Sequence, residues 1–164
     1  VEMFDLWWPD RRKMRIRFFD NIAEAVAGMR PGSCTMHETC DSYVVVEYNG
    51  DIYPCDFFVE SGWKLGNVTL DSWTEIARRT RRYNFARTKT LSHPECVVCE
   101  YQSICHGGCP KFRHGPHGRF EDLDYFCQAY KMIYARAVGP LRKEVEKLLG
   151  RQAPELTRHA LSPY

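Results

Sequence analysis

The sequence predicts an α+β fold, loop-rich, in which a small β-hairpin and a few helices are organised around clusters of cysteine. Three observations carry this. Eight cysteines stand at positions 34, 40, 55, 96, 99, 105, 109 and 127, four of them inside the run Cys96-x2-Cys99-x5-Cys105-x3-Cys109. The β-branched and aromatic run Tyr43–Tyr48 is followed by Asn49-Gly50 and then Asp51-Ile52-Tyr53. Asn-Gly between two such runs is the strongest short-range hairpin signal, because both turn residues tolerate positive φ. Elsewhere apolar residues recur at helical spacing, as at Phe19, Ile22, Ala23 and Val26.

From the N-terminus, Trp7-Trp8-Pro9-Asp10 and Arg11-Arg12-Lys13 read as a surface loop. A short amphipathic helix follows over about 19–28, stopped at Gly28 with Pro31-Gly32 beyond. The hairpin begins after Cys40 and reaches Cys55, with Pro54 ending its second strand. Asp71 can cap a helix whose apolar side is Trp73, Ile76 and Ala77 and whose other side carries Arg78, Arg79, Arg81 and Arg82. Residues 92–118 combine four cysteines with Pro94, Pro110, Pro116 and four glycines and show no period of either kind. Such a stretch buries no core of its own, so metal–thiolate bonds are expected to order it. Asp122 or Asp124 can cap a helix through Phe126, Tyr130, Ile133 and Ala137, interrupted at Gly139-Pro140, where a second helix starts and runs to about Gly150. Cys127 falls in the first turn of the earlier of these two helices, where the helix dipole favours a thiolate. The tail from Arg151 to Tyr164 reads as loosely ordered.

An even number of cysteines is also compatible with disulfides. Cysteine makes up only about 5% of the chain, below the level of small disulfide scaffolds, and the N-terminus has neither the basic start nor the cleavage site of a signal peptide. Metal ligation in a reducing cytoplasm is therefore the expectation. Eight thiols make two complete four-thiolate sites, which suit zinc or iron–sulfur clusters alike. They divide into two fours in about 35 ways, and spacing does not choose among them.

The 44% hydrophobic content is enough for a core, and no apolar run is long enough to span a membrane. A net charge of +2 counts the cysteines as neutral thiols and is no argument for nucleic acid; the arginines at 78–82 read as a solvated helix face or a contact with another domain. The first residue is Val1 rather than Met, so a chain cut from something longer is expected.

Taken with its gaps, the pattern is Cys40-x9-Gly50-x4-Cys55, then Cys96-x2-Cys99-x5-Cys105-x3-Cys109, then Cys127. It resembles the seven-cysteine signature of the SPASM domain, the C-terminal extension of one group of radical S-adenosylmethionine enzymes. Cys34 as an eighth ligand, Asp56 directly after Cys55, the stretch Gly107-Gly108-Cys109-Pro110-Lys111 and Gly66-Asn67-Val68 narrow the resemblance to the anaerobic sulfatase-maturating enzymes. Those enzymes oxidise a cysteine or serine of a sulfatase to Cα-formylglycine.

The resemblance implies two auxiliary [4Fe–4S] clusters. It assigns Cys34, Cys40, Cys55 and Cys109 to one, and Cys96, Cys99, Cys105 and Cys127 to the other. It makes Asp56 the general base that takes the substrate proton, with a pKa raised by burial beside an anionic cluster. It places Phe57 and Phe58 against the first cluster. It divides the chain into residues 1–30, the last piece of a radical SAM barrel; 31–138, the SPASM iron–sulfur domain; and 139–164, a C-terminal helix and tail. The Cys-x3-Cys-x2-Cys motif for the S-adenosylmethionine cluster is missing here, since residue 112 is Phe where Cys105-x3-Cys109 would need a third thiol. S-adenosylmethionine and a third [4Fe–4S] cluster are thus expected only in a preceding domain, and the fragment is not expected to catalyse alone. Implied partners are that barrel, a sulfatase polypeptide and an electron donor such as ferredoxin or flavodoxin, with no nucleic acid and no membrane. Two further readings stay open: the SPASM domain of another peptide-modifying radical SAM enzyme, and a two-zinc structural module.

Overall fold

The structure, a computed structural model, describes residues 1–41, 43–90, 93–113, 120–150 and 152–154. It divides into two compact units, one of Val1–Glu38 with Ser92–Tyr164 and one of Thr39–Leu91. Helices are joined by a small antiparallel sheet, an α+β composition.

The first unit is helical. Helix α1 spans Glu2–Trp7 and runs into a 3-10 turn at Trp8–Asp10, where a surface loop was expected. The reason is burial: Phe4 and Trp7 sit three residues apart on one face and both enter the core. The Phe19 ring meets Phe4 edge-on at 5.2 Å, and the Trp7 indole N–H donates to the Met14 carbonyl at 2.8 Å. Helix α2, Arg17–Val26, turns Phe19, Ile22 and Val26 inward, as their spacing predicts.

The long helix of this unit, Cys127–Leu149, does not break at Gly139-Pro140 as expected. Proline removes one backbone hydrogen bond, but Tyr134, Ala137, Leu141 and Val145 keep a continuous buried stripe across it. Both halves pack on the same core of α1 and α2, so packing overrides the break. Glu144 binds Arg11 and Arg12, and Arg136 binds Asp5, along this contact. The boundary expected between residues 138 and 139 falls inside this helix. Residues 152–154 are tied back to it, Arg142 donating to the Pro154 carbonyl and the Ala153 amide to Glu146. The rest of the expected loose tail lies outside the described residues.

The second unit holds the sheet. Strand β1, Val45–Val46, and strand β2, Asp51–Tyr53, pair antiparallel with Val45 opposite Tyr53 and Val46 opposite Ile52. The paired strand is shorter than the run 43–48, and Tyr43, Val44 and Val46 of that run are exposed. Gly50 takes φ +84°, which the turn requires. A third strand, β3 at Gly66–Asn67, pairs with the other side of β2. Asn67 fastens it: its side-chain amide donates to Asp51 Oδ1 and the Asn49 carbonyl, and its oxygen accepts from Thr69. Ile52, Leu65 and Ile76 form the small core.

Helix α3, Trp73–Tyr83, is capped by Ser72, whose hydroxyl accepts from the Glu75 amide, and not by Asp71. Asp71 instead accepts from the Asn67 amide and binds Arg79. Ile76 is buried, but Trp73 is exposed. Arg78 and Arg79 are engaged by Glu75 on the same helix, which makes them a paired helix face.

Candidate metal centre

Four of the cysteines come together within the first unit. Residues 93–113 form three helices of four residues each: α4, Pro94–Val97; α5, Gln102–Cys105; and α6, Pro110–Arg113. The long helix is numbered α7. Pro94 opens α4 at a position where its missing N–H costs nothing, and His93 caps it by accepting from the Glu95 amide. Ile104, fully buried, anchors α5 in the core. Cys96 lies on α4, Cys99 in the turn after it, Cys105 at the end of α5 and Cys127 at the start of α7. All four line one cavity, part of it open to solvent, whose wall also includes Tyr130 and Tyr134.

A buried carboxylate fixes the far side of this site. Asp124 Oδ2 accepts from the Cys109 amide at 3.1 Å and Oδ1 from the Phe126 amide at 2.7 Å. One side chain thus ties the cysteine run to the start of α7. Its space exists because residue 108 is glycine: a Cβ there would stand 2.1 Å from Asp124 Oδ2, and the φ of +73° is left-handed. Asp124 is legible in the sequence only as a helix cap; the Gly-Gly pair ahead of Cys109 was the signal that a side chain had to pass close by.

Burial pushes the thiols up. The Cys105 thiol is raised to about 11, first by desolvation and then by Asp124. Cys96 and Cys127 are also raised, both chiefly by desolvation, with Lys131 opposing the shift at Cys127. Tyr130 is pushed up to about 12 by burial. Iron or zinc binding at these sulfurs must therefore release protons. The donor set fits such a group: four soft sulfurs from two short helices, a turn and the start of α7, facing one partly enclosed, largely apolar space. Among the described residues, no three His, Cys, Asp or Glu side chains close on a single ion position, so the common feature of the four is the cavity they line.

The other four cysteines are divided between the units. Cys34 opens a 3-10 turn in the first unit, where the Ser33 amide is held by the buried Asn21 side chain at 2.7 Å, and Cys109 is buried in the same unit. In the second unit, Cys40 donates its amide to the Ala86 carbonyl, and Cys55 follows β2 beyond Pro54. Asp56 is exposed. Tyr43 donates its hydroxyl to Asp56 Oδ1 at 2.8 Å, and the Cys55 thiol donates to the same oxygen at 3.3 Å. The Tyr43 hydroxyl holds the Asp56 carboxyl below its usual range, the reverse of the expected rise. That expectation rested on burial and on the like charge of a cluster bound through Cys55; the protein alone gives this carboxylate little burial. Phe58 is buried, but its partners are Trp63 and Phe85 in an edge-to-face trio, and Phe57 is exposed.

Residues 34–106 match the SPASM iron–sulfur cluster-binding domain, a span that takes in Cys34, Cys40, Cys55, Cys96, Cys99 and Cys105. The match marks a SPASM domain within the chain. It is 34% identical over 138 residues to the cysteine-type anaerobic sulfatase-maturating enzyme of Clostridium perfringens, covering 82% of this chain and 37% of that one. It is 36% identical over 163 residues to the serine-type enzyme of Bacteroides thetaiotaomicron, covering 97% of this chain and 39% of the other. The chain thus spans well under half the length of these relatives. Its fold matches a solved structure described as native anSMEcpe with bound AdoMet and Cp18Cys peptide, with a TM-score of 0.81 and 31% identity over 90% of this chain and 42% of that one. No helix among the described residues is long and apolar enough to cross a membrane.

Proposed function

We propose that this SPASM chain is the auxiliary [4Fe–4S] domain of a radical SAM sulfatase maturase, which oxidises a Cys or Ser of a sulfatase to Cα-formylglycine. The observation that carries this is the convergence of Cys96, Cys99, Cys105 and Cys127 on one cavity, in a fold that follows the anSMEcpe structure over 90% of the chain. These four hold one cluster. Cys34, Cys40, Cys55 and Cys109 hold the other, on the strength of the resemblance. When bound, the clusters supply one-electron acceptor chemistry for the substrate.

The chain's own groups do the rest. The tyrosine rings at 130 and 134 limit water around the first site. Asp56, oriented by Tyr43, takes the substrate thiol or hydroxyl proton. Residues 1–30 form the end of the barrel, which supplies S-adenosylmethionine and its cluster. A sulfatase polypeptide and a low-potential donor of the ferredoxin or flavodoxin kind are the partners.

Iron, sulfide and zinc analysis of protein purified without oxygen tests this reading. About eight iron and eight sulfide per chain, with visible absorbance that bleaches on reduction, supports it. Two zinc and no sulfide after anaerobic reconstitution overturns it in favour of a structural zinc module. In the full-length enzyme, Asp56→Asn is expected to abolish most turnover while leaving iron content unchanged; near-normal turnover removes Asp56 as the base.

A further inference from the structure

Arg113 closes α6 and is 1% exposed, among the largest fully buried side chains of the chain. A guanidinium stays protonated at any ordinary pH, so it carries a full positive charge into the interior. The Cβ position of Gly107 lies 3.4 Å from Arg113 Nη1 and 3.9 Å from Cys96 Sγ. Gly107 itself lines the cavity of the four cysteines. The guanidinium and the Cys96 sulfur therefore both lie within 4 Å of one point beside Gly107, where residue 107 has no side chain. In the free protein its charge already favours the Cys96 thiolate, against the larger effect of burial.

We propose that Arg113 sets the reduction potential of the cluster held by Cys96, Cys99, Cys105 and Cys127. The inference rests on reading that cavity as a cluster site. A four-thiolate cluster becomes one charge more negative on one-electron reduction, and its potential follows net charge, hydrogen bonding and exposure. A fixed positive charge nearby favours the more negative, reduced state, and the water-poor interior leaves that attraction weakly screened. Arg113 thereby raises the potential and makes the cluster a better acceptor of a substrate electron. It touches no reacting atom and acts through the cluster, as outer-shell groups do.

Potentiometric titration of the full-length, anaerobically reconstituted enzyme, followed by electron paramagnetic resonance, tests this. The signal that disappears in Cys105→Ala identifies the cluster. Arg113→Met removes the charge at similar volume, and Arg113→Lys keeps it. The expected result is unchanged iron and sulfide, a shift of that one signal to more negative potential in Arg113→Met, and recovery of most of the shift in Arg113→Lys. An unmoved potential at full iron content overturns the inference, as does an equal shift in the Lys variant, which would make the residue a structural support only. If Arg113→Met fails to hold its clusters, Arg113→Gln against Arg113→Lys makes the same comparison, and equal potentials there overturn it too. A wild-type protein without iron and sulfide at this site is a separate failure, which removes the cluster reading itself.

Discussion

Residues 45–67 and residues 93–113 both carry cysteines, yet they are built in opposite ways. The first region pairs its backbone in a three-stranded ladder, seals the ends with the Asn67 side chain and buries Ile52 and Leu65. The second has three helices of four residues, the last two joined by left-handed residues at His106, Gly107 and Gly108. Helices that short are far below the roughly 12 residues at which an isolated helix becomes marginal. One region draws its order from its own hydrogen bonds. The other is held by burial of Ile104 and by groups from beyond it, the Asp124 carboxylate and the Cys127 thiol that lines the same cavity.

Breaking the metal centre gives the largest expected effect. In the cluster-loaded protein, Cys105→Ala should speed amide exchange through residues 94–113 and the first turn of α7 by orders of magnitude, with the β2 amides unchanged. Equal loosening in both regions would show that the contrast drawn here is wrong. Gly108→Ala comes next. The new methyl meets the Asp124 carboxylate, which is buried and holds two amides, and the left-handed backbone adds strain. A loss of about 3 kcal/mol or more is expected in urea unfolding. Gly50→Ala asks the same question of the sheet. Its Cβ would stand 2.9 Å from Asn67 Oδ1 at φ +84°, but the turn is near the surface of the ladder and can yield. About 1–2 kcal/mol is expected there.

What was legible in the sequence divides along the same line. The hairpin turn, α2 and the cysteine set were readable because each depends on near neighbours: Asn49-Gly50, the spacing of Phe19, Ile22 and Val26, and the gaps of a known signature. What escaped depends on distant groups. Gly66-Asn67 was read only as part of a family pattern and not as a strand, because two residues carry no period; Asn67 becomes a strand residue through Asp51 and Asn49. Pro140 signals a break to any local reading, and only the stripe from Tyr134 to Val145 against α1 and α2 overrides it. Arg113 gave no signal at all, since burial of a guanidinium is decided by where Gly107 and Cys96 come to lie.

The smallest effect concerns the charge inside the sheet. Lys64 reaches Asp51 at 2.5 Å, and Asn67 donates to the same carboxylate oxygen. Lys64 first, then Asn67, holds the Asp51 carboxyl below its usual range. A depressed carboxyl contributes stability above the ordinary aspartate pKa of about 4, and loses it as pH falls through the depressed value. The sheet should therefore keep this contribution at neutral pH and shed it only below about pH 4. Lys64 is 43% exposed, so solvent screening keeps the effect small. Asp51→Asn should be slightly less stable than wild type at pH 7 and should lose less on acidification, the two curves converging in acid. Parallel curves from pH 7 to pH 3 would mean that Asp51 serves only as a hydrogen-bond acceptor for Asn67, and the order of this region would then rest on neutral hydrogen bonds alone.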